Sequence, residues 1–153
     1  MDIVSRKTRP DDPFDLSRFL SAQDQVYEDV LAELKSGQKR THWMWFVFPQ
    51  IDGLGFSATT QYYAIKSLEE ARQYLAHPVL GKRLRECAEA VLAVQGRNIS
   101  EIFGYPDDLK LKSCLTLFAA ITDQQDVFVK VLDQYYRGER DARTVQILVS
   151  LQK

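Results

Sequence analysis

Residues 41–57 read THWMWFVFPQIDGLGFS, and the class of the fold turns on what this stretch becomes. It holds both tryptophans of the chain and three of its eight phenylalanines, and it carries two closely spaced glycines, Gly53 and Gly55. Six large apolar residues in a row, Trp43 to Phe48, call for burial. Their pattern fits two elements. Aromatic and β-branched content favours a strand, whereas Trp43, Phe46 and Val47 also fall at the i, i+3, i+4 spacing of a helix face. Pro49 lacks a backbone donor and pushes Phe48 out of helical geometry, so either element ends there.

The flanking chain reads as helix after helix. Phe14, Leu16, Phe19 and Leu20 anchor the start of the fold behind a polar arm, residues 1–13, expected to be mobile. Ser21 followed by Asp24 suits a helix start, and Val26, Tyr27, Val30, Leu31 and Leu34 then recur at helical spacing up to a stop at Gly37. Residues 58–64 are helical or turn-like. Ser67 and Glu70 form a Ser-x-x-Glu capping box before Leu68, Ala71, Tyr74 and Leu75. His77-Pro78 breaks that helix, with His77 expected to cap a carbonyl. Pro78 opens the next one, whose apolar face is Leu80, Leu84, Cys87, Ala88, Val91 and Leu92 and whose stop is Gly96.

Ser100 is the expected cap of a single turn ended by Gly104, and Asp107 or Asp108 of the helix beyond the Tyr105-Pro106 turn. Residues 111–121 are apolar nearly all round, which predicts the most buried helix. The stretch Asp123 to Asp126 introduces another, closed by Gly138, and Asp141 a last one. The expectation is an all-α single domain over residues 14–153, a bundle of about six to eight helices, several of them short.

At 153 residues the chain has room to bury about two-thirds of its unfolded surface. Twenty basic and 21 acidic residues leave a net charge of −1, which gives no field for a polyanion, so nucleic acid is not an expected partner. No apolar run reaches the roughly 20 residues of a membrane span, and no apolar segment follows the charged N-terminus as a secretory signal needs. Cys87 and Cys114 are expected as reduced, buried thiols in a cytoplasmic protein. The two histidines lie 35 positions apart without a ligand at i+3 or i+4, so no metal site and no cofactor is expected. Gly53-x-Gly55-x-x-Ala58 matches the letters of a dinucleotide fingerprint. It lacks the strand that must lead directly into the first glycine and the parallel-strand pattern that must follow.

A polar set sits among the aromatics: His42, Gln50, Asp52, Ser57, Gln61 and Lys66. Buried polar groups need partners, so such a set either lines a pocket or braces a loop. The candidate ligand-binding residues are Trp43, Trp45, Phe48, Gln50, Gly53, Gly55, Ser57, Tyr63 and Lys112, whereas Lys110 is expected to be an exposed surface charge. Asp52 is the candidate catalytic carboxylate.

The segments HWMWFVFPQIDGLGFS, YAIKSLEEARQYLAHPVLGKRLREC and IFGYPDDLKLKSCLTLFAAI together resemble a bacterial family of domains of unknown function that sometimes carries the label "calpastatin-like". The resemblance runs through nearly the whole chain, and its motif positions here are Trp43, Phe48, Pro49, Gln50, Gly53, Gly55, Ser57, Tyr63, His77, Pro78, Leu80, Gly81 and Lys112. It implies an all-α fold, and hence a short helix at Trp43–Phe48, and it names no reaction. Two functions remain open. One is a non-catalytic interaction module for an unknown protein. The other is a small-molecule or nucleotide pocket at Trp43–Ser57, of the kind an ADP-ribose-type N-glycosidase would use, with Asp52 stabilising an oxocarbenium-like transition state.

Overall fold

The computed structural model describes residues 10–152, and among them the chain forms ten α-helices and no strand. In order they are α1 Ser17–Asp24, α2 Tyr27–Lys35, α3 Met44–Val47, α4 Ala58–Tyr63, α5 Leu68–Ala76, α6 Leu80–Ala93, α7 Ile99–Phe103, α8 Asp107–Ala119, α9 Val127–Tyr136 and α10 Ala142–Leu151. Seven have two turns or more; α3, α4 and α7 are the short ones. The all-α single domain expected from periodicity is what forms. Residues 1–9 of the expected arm lie outside the described residues. At its inner end the Asp12 carboxylate accepts from the amides of Leu16 and Ser17 at 2.8 and 3.1 Å and so caps α1.

The helix α8 is the centre of the bundle. Nine of its thirteen residues are buried, more than in any other helix, and it packs on α9, α10, α7, α3 and α5. The second hub is α6, which packs on α9, α2 and α5. Where α5 turns into α6, the backbones meet directly. A Cβ on Gly81 would lie 2.0 Å from the carbonyl oxygen of Leu75, so no side chain fits. Phe19, Tyr74, Phe118 and Phe128 form a chain of ring contacts through the core, with centroids 4.9 to 5.8 Å apart.

Several helix ends differ from the sequence reading. Ser21 lies inside α1 and caps nothing; the chain breaks instead at Gln25–Val26, and the apolar spacing read as one helix serves α2 alone. Ser67 caps α5 as expected, but Glu70 does not close the box. Its Oε1 accepts from the Lys66 amide and its Oε2 pairs with Arg18 at 2.7 Å, because a buried guanidinium outbids a local amide for the carboxylate. His77 turns out to be an acceptor: its Nδ1 takes the amides of Val79 and Leu80, the orphan donors at the start of α6, where a carbonyl had been expected as its partner.

The complete capping box is at Asn98 and Glu101, so the cap lies two residues before Ser100. Pro106 holds the N-cap position of α8, so Asp107 and Asp108 sit inside its first turn. Helix α6 stops at Ala93, ahead of Gly96, and α9 stops on Arg137 in the left-handed region, followed by Gly138. Gly37 and Asp141 hold the roles expected of them, and within the expected start at 123–126 the cap is Asp126.

Candidate functional site

Within Trp43–Phe48 a single turn forms, α3, and Phe48 leaves helical geometry ahead of Pro49. Its rings divide. Trp43 and Phe48 are core residues, packed on each other and on Phe103. Trp45 is half-buried, with the Lys110 ammonium 5.7 Å from its ring centroid.

The indole nitrogen of Trp43 donates to Glu33 Oε1 at 3.1 Å. That carboxylate is a hub. It also accepts from the Arg40 and Thr41 amides and from the Thr41 hydroxyl, at 2.7, 3.0 and 2.6 Å. Burial works against the charge, yet the bonds from Thr41, Arg40 and Trp43 outweigh it and hold the carboxyl below the usual glutamate value. Beside it, Lys39 reaches Thr41 O and Asp107, the latter at 2.8 Å, and lies 4.9 Å from the Trp43 ring centroid; only 5% of its side chain is exposed. Loop 36–43 is thus tied to α2, α3 and α8.

After Pro49 the chain pairs once with itself. Ile65 N donates to Gln50 O and Asp52 N to Ile65 O, both at 2.8 Å, as an isolated parallel bridge between Ile51 and Ile65. Between them the loop is braced from within. Asp52 pairs with Lys66 at 3.1 Å, Lys66 also donates to Gln61 O, and the Gln61 amide donates to Phe56 O at 2.7 Å. Ser57 caps α4 by accepting from Thr60 N and bonds the Thr60 hydroxyl. Gly53 takes φ +109°, and a Cβ there would press on Ile147 Cδ1 at 3.2 Å; its carbonyl accepts from Arg143. At Gly55 a Cβ would stand 2.7 Å from Thr60 Cγ2. Out of this scaffold Phe56 projects with 79% of its surface exposed.

The predicted residues gather in part. Trp45, Gln50, Gly53 and Tyr63 line one cavity of about 10 Å³, with Leu54 and Thr60. That is the space of a single water. Tyr63 packs edge-on to Tyr62 and against Phe46 and Phe19; burial first, then Tyr62, push its phenol up, with Arg18 opposing. Asp52 and Ser57 stand on the exposed rim. Lys112 is elsewhere: its ammonium is 3.8 Å from Glu139 and 5.9 Å from the Tyr136 ring centroid, so the cation over the tryptophan is Lys110. His42 is exposed.

A family model described as "Protein of unknown function (DUF1810)" matches residues 13–148. The chain belongs to that family. Among solved structures, the DUF1810 chain is similar to the conserved hypothetical protein Rv1873 from Mycobacterium tuberculosis. The two are 58% identical with a TM-score of 0.88, over 90% of this chain and 99% of that one. No curated protein matches it. The likeness to that structure supports the all-α single domain, and neither the family nor the neighbour carries a reaction in its description.

Sequence reasoning missed Glu33, Lys39 and Arg18. Arg18 is fully buried. It donates to the carbonyls of Phe14, Asp15, Tyr62 and Ala64 and to Glu70, joining α1 to the α4–α5 junction. An arginine at a position of α1 that the apolar pattern would give to the core was the available signal. Among the described residues no helix is long and apolar enough to cross a membrane, and no three His, Cys, Asp or Glu side chains converge as a metal site would need.

Proposed function

We propose that this DUF1810 chain is a non-catalytic binding module that offers loop 52–57 to a partner protein, with Phe56 as the anchor. What carries the reading is Phe56, 79% exposed on a loop whose polar groups are spent on bracing the loop itself. A ring held out on a rigid support loses little freedom on docking, and burying a phenylalanine contributes about 1.5–3 kcal/mol. The two free, buried thiols suit a cytoplasmic protein, where we place it.

A photo-crosslinking phenylalanine analogue at position 56 tests the proposal in extract of the native cell. We expect one discrete adduct, competed away by the unmodified chain and not by a Phe56→Asp competitor. Absence of an adduct, or equal competition by Phe56→Asp, rejects it.

A second reading is a small-molecule or nucleotide site of the N-glycosidase type. Its support is the convergence of Trp45, Gln50, Gly53 and Tyr63 on one cavity. It requires Trp45 to swing out from beside Lys110, and it leaves Asp52, on the rim, as the carboxylate. A thermal-shift screen with nucleotides, NAD and ADP-ribose separates the two. A ligand at 100 times its dissociation constant stabilises by about 2.7 kcal/mol, whereas a protein-docking loop gives no shift.

A further inference from the structure

A second concavity lies away from the 41–66 stretch. It is an open cleft of about 660 Å³ between the end of α6, the turn into α7 and α9. Leu92, Val94 and Ile99 give it an apolar wall, and Arg97, Asn98 and Gln134 a polar one. A helix C-terminus is a poor place for an anion, because its last carbonyls point outward with the negative end of the dipole. Here the carbonyls of Val91, Leu92 and Val94 are covered. The Tyr135 hydroxyl donates to Val91 O at 2.6 Å and is 3.2 Å from Val94 O, and the Gln134 amide donates to Leu92 O at 3.0 Å.

On α7 the Glu101 carboxylate is committed to the Asn98 amide at 2.9 Å, and no acidic residue lines the cleft among the described residues. Arg97 is the unspent charge: its guanidinium has no hydrogen bond or ion pair among the described residues. Its stem is nonetheless placed, since a Cβ on Gly37 would lie 3.3 Å from Arg97 Cδ and 3.3 Å from Val94 Cγ1. An unpaired planar donor beside an apolar wall, with the competing negative groups occupied, matches one kind of occupant by charge and shape.

We propose that this cleft binds a small organic acid, its carboxylate taken by the Arg97 guanidinium and its apolar body laid on Leu92, Val94 and Ile99. The site is independent of the Phe56 loop, so either proposal survives failure of the other.

Benzoate and hexanoate, each paired with its neutral amide, are titrated into the full chain labelled with ¹⁵N at fixed ionic strength. We expect amide shifts gathered on residues 92–99 and 134–135 with both acids and none with benzamide or hexanamide. Arg97→Gln, at an exposed position, keeps the wild-type melting temperature and weakens binding about ten-fold or more, with Arg97→Lys between. Equal shifts from the amides, unchanged binding in Arg97→Gln, or no shift with either acid at millimolar concentration overturns the proposal.

Discussion

Replacing Glu33 with glutamine keeps the shape of the side chain and removes its charge. Four donors feel the change: the Arg40 and Thr41 amides, the Thr41 hydroxyl and the Trp43 indole. Bonds to an ionised acceptor exceed neutral ones by about 1 kcal/mol each, but water can replace part of the loss at the exposed residues Arg40 and Thr41. Trp43 is buried and has no such recourse. The sum is about 2–3 kcal/mol, which in a chain of this length lowers the melting temperature by about 5–10 °C. The folded-state pKa of Glu33 is lowered from 4.5, so its contribution is fully present above that unfolded value. It drains away as pH falls through the lower folded value. The measurement is thermal melting of wild type and Glu33→Gln at pH 7 and at about pH 3. The gap between them should be widest at neutral pH and narrow in acid. A gap of the same size at both would refute the assignment of the stabilisation to a hydrogen-bonded carboxylate.

Gly81→Ala places a methyl group 2.0 Å from Leu75 O and should cost more than about 4 kcal/mol, read as loss of soluble, helical protein. Glu70→Ala leaves the Arg18 guanidinium buried without its carboxylate and should lower unfolding free energy by about 3–5 kcal/mol in urea titrations, with the slope unchanged. Cys87 and Cys114 are buried, which pushes the Cys87 thiol up to about 12 and Cys114 well above its ordinary value. Neither should react with a thiol reagent at pH 8 in the native chain, and both should react in denaturant. Phe56→Ala should leave the melting temperature within about 1–2 °C of wild type, since an exposed ring contributes within about 0.5 kcal/mol.

Local signals were legible where the stabilising partner is local. Asp126 and Asp141 cap helices because each accepts an amide one to three residues on, and such spacing is written in the chain. The apolar face of α9 and the all-round apolarity of α8 gave their burial directly. What escaped were ties across the fold. Glu70 looked like half of a capping box because the competing Arg18 lies 52 residues away, and nothing in Ser-x-x-Glu announces a distant guanidinium. Ser21 looked like a cap because the true one, Asp12, acts on amides four and five residues ahead.

At the candidate site the aromatics were found and their division was not. Neighbours in sequence, Trp43 and Trp45 face opposite environments, since a single helical turn sends residues two apart to different sides. Lys110 and Lys112 divide in the same way on α8, and only the register of that helix against α3 decides which reaches the tryptophan.

The Ile51–Ile65 bridge has a consequence for how this fold can vary. It brings the two ends of the thirteen-residue segment 52–64 side by side. With the ends already joined, lengthening the segment adds only the entropy of a larger ring, about 0.6 kcal/mol for a doubling. Insertions beside Phe56 therefore change the outer surface while the helices beneath keep their register, which makes this segment the natural place for a grafted epitope or reporter peptide.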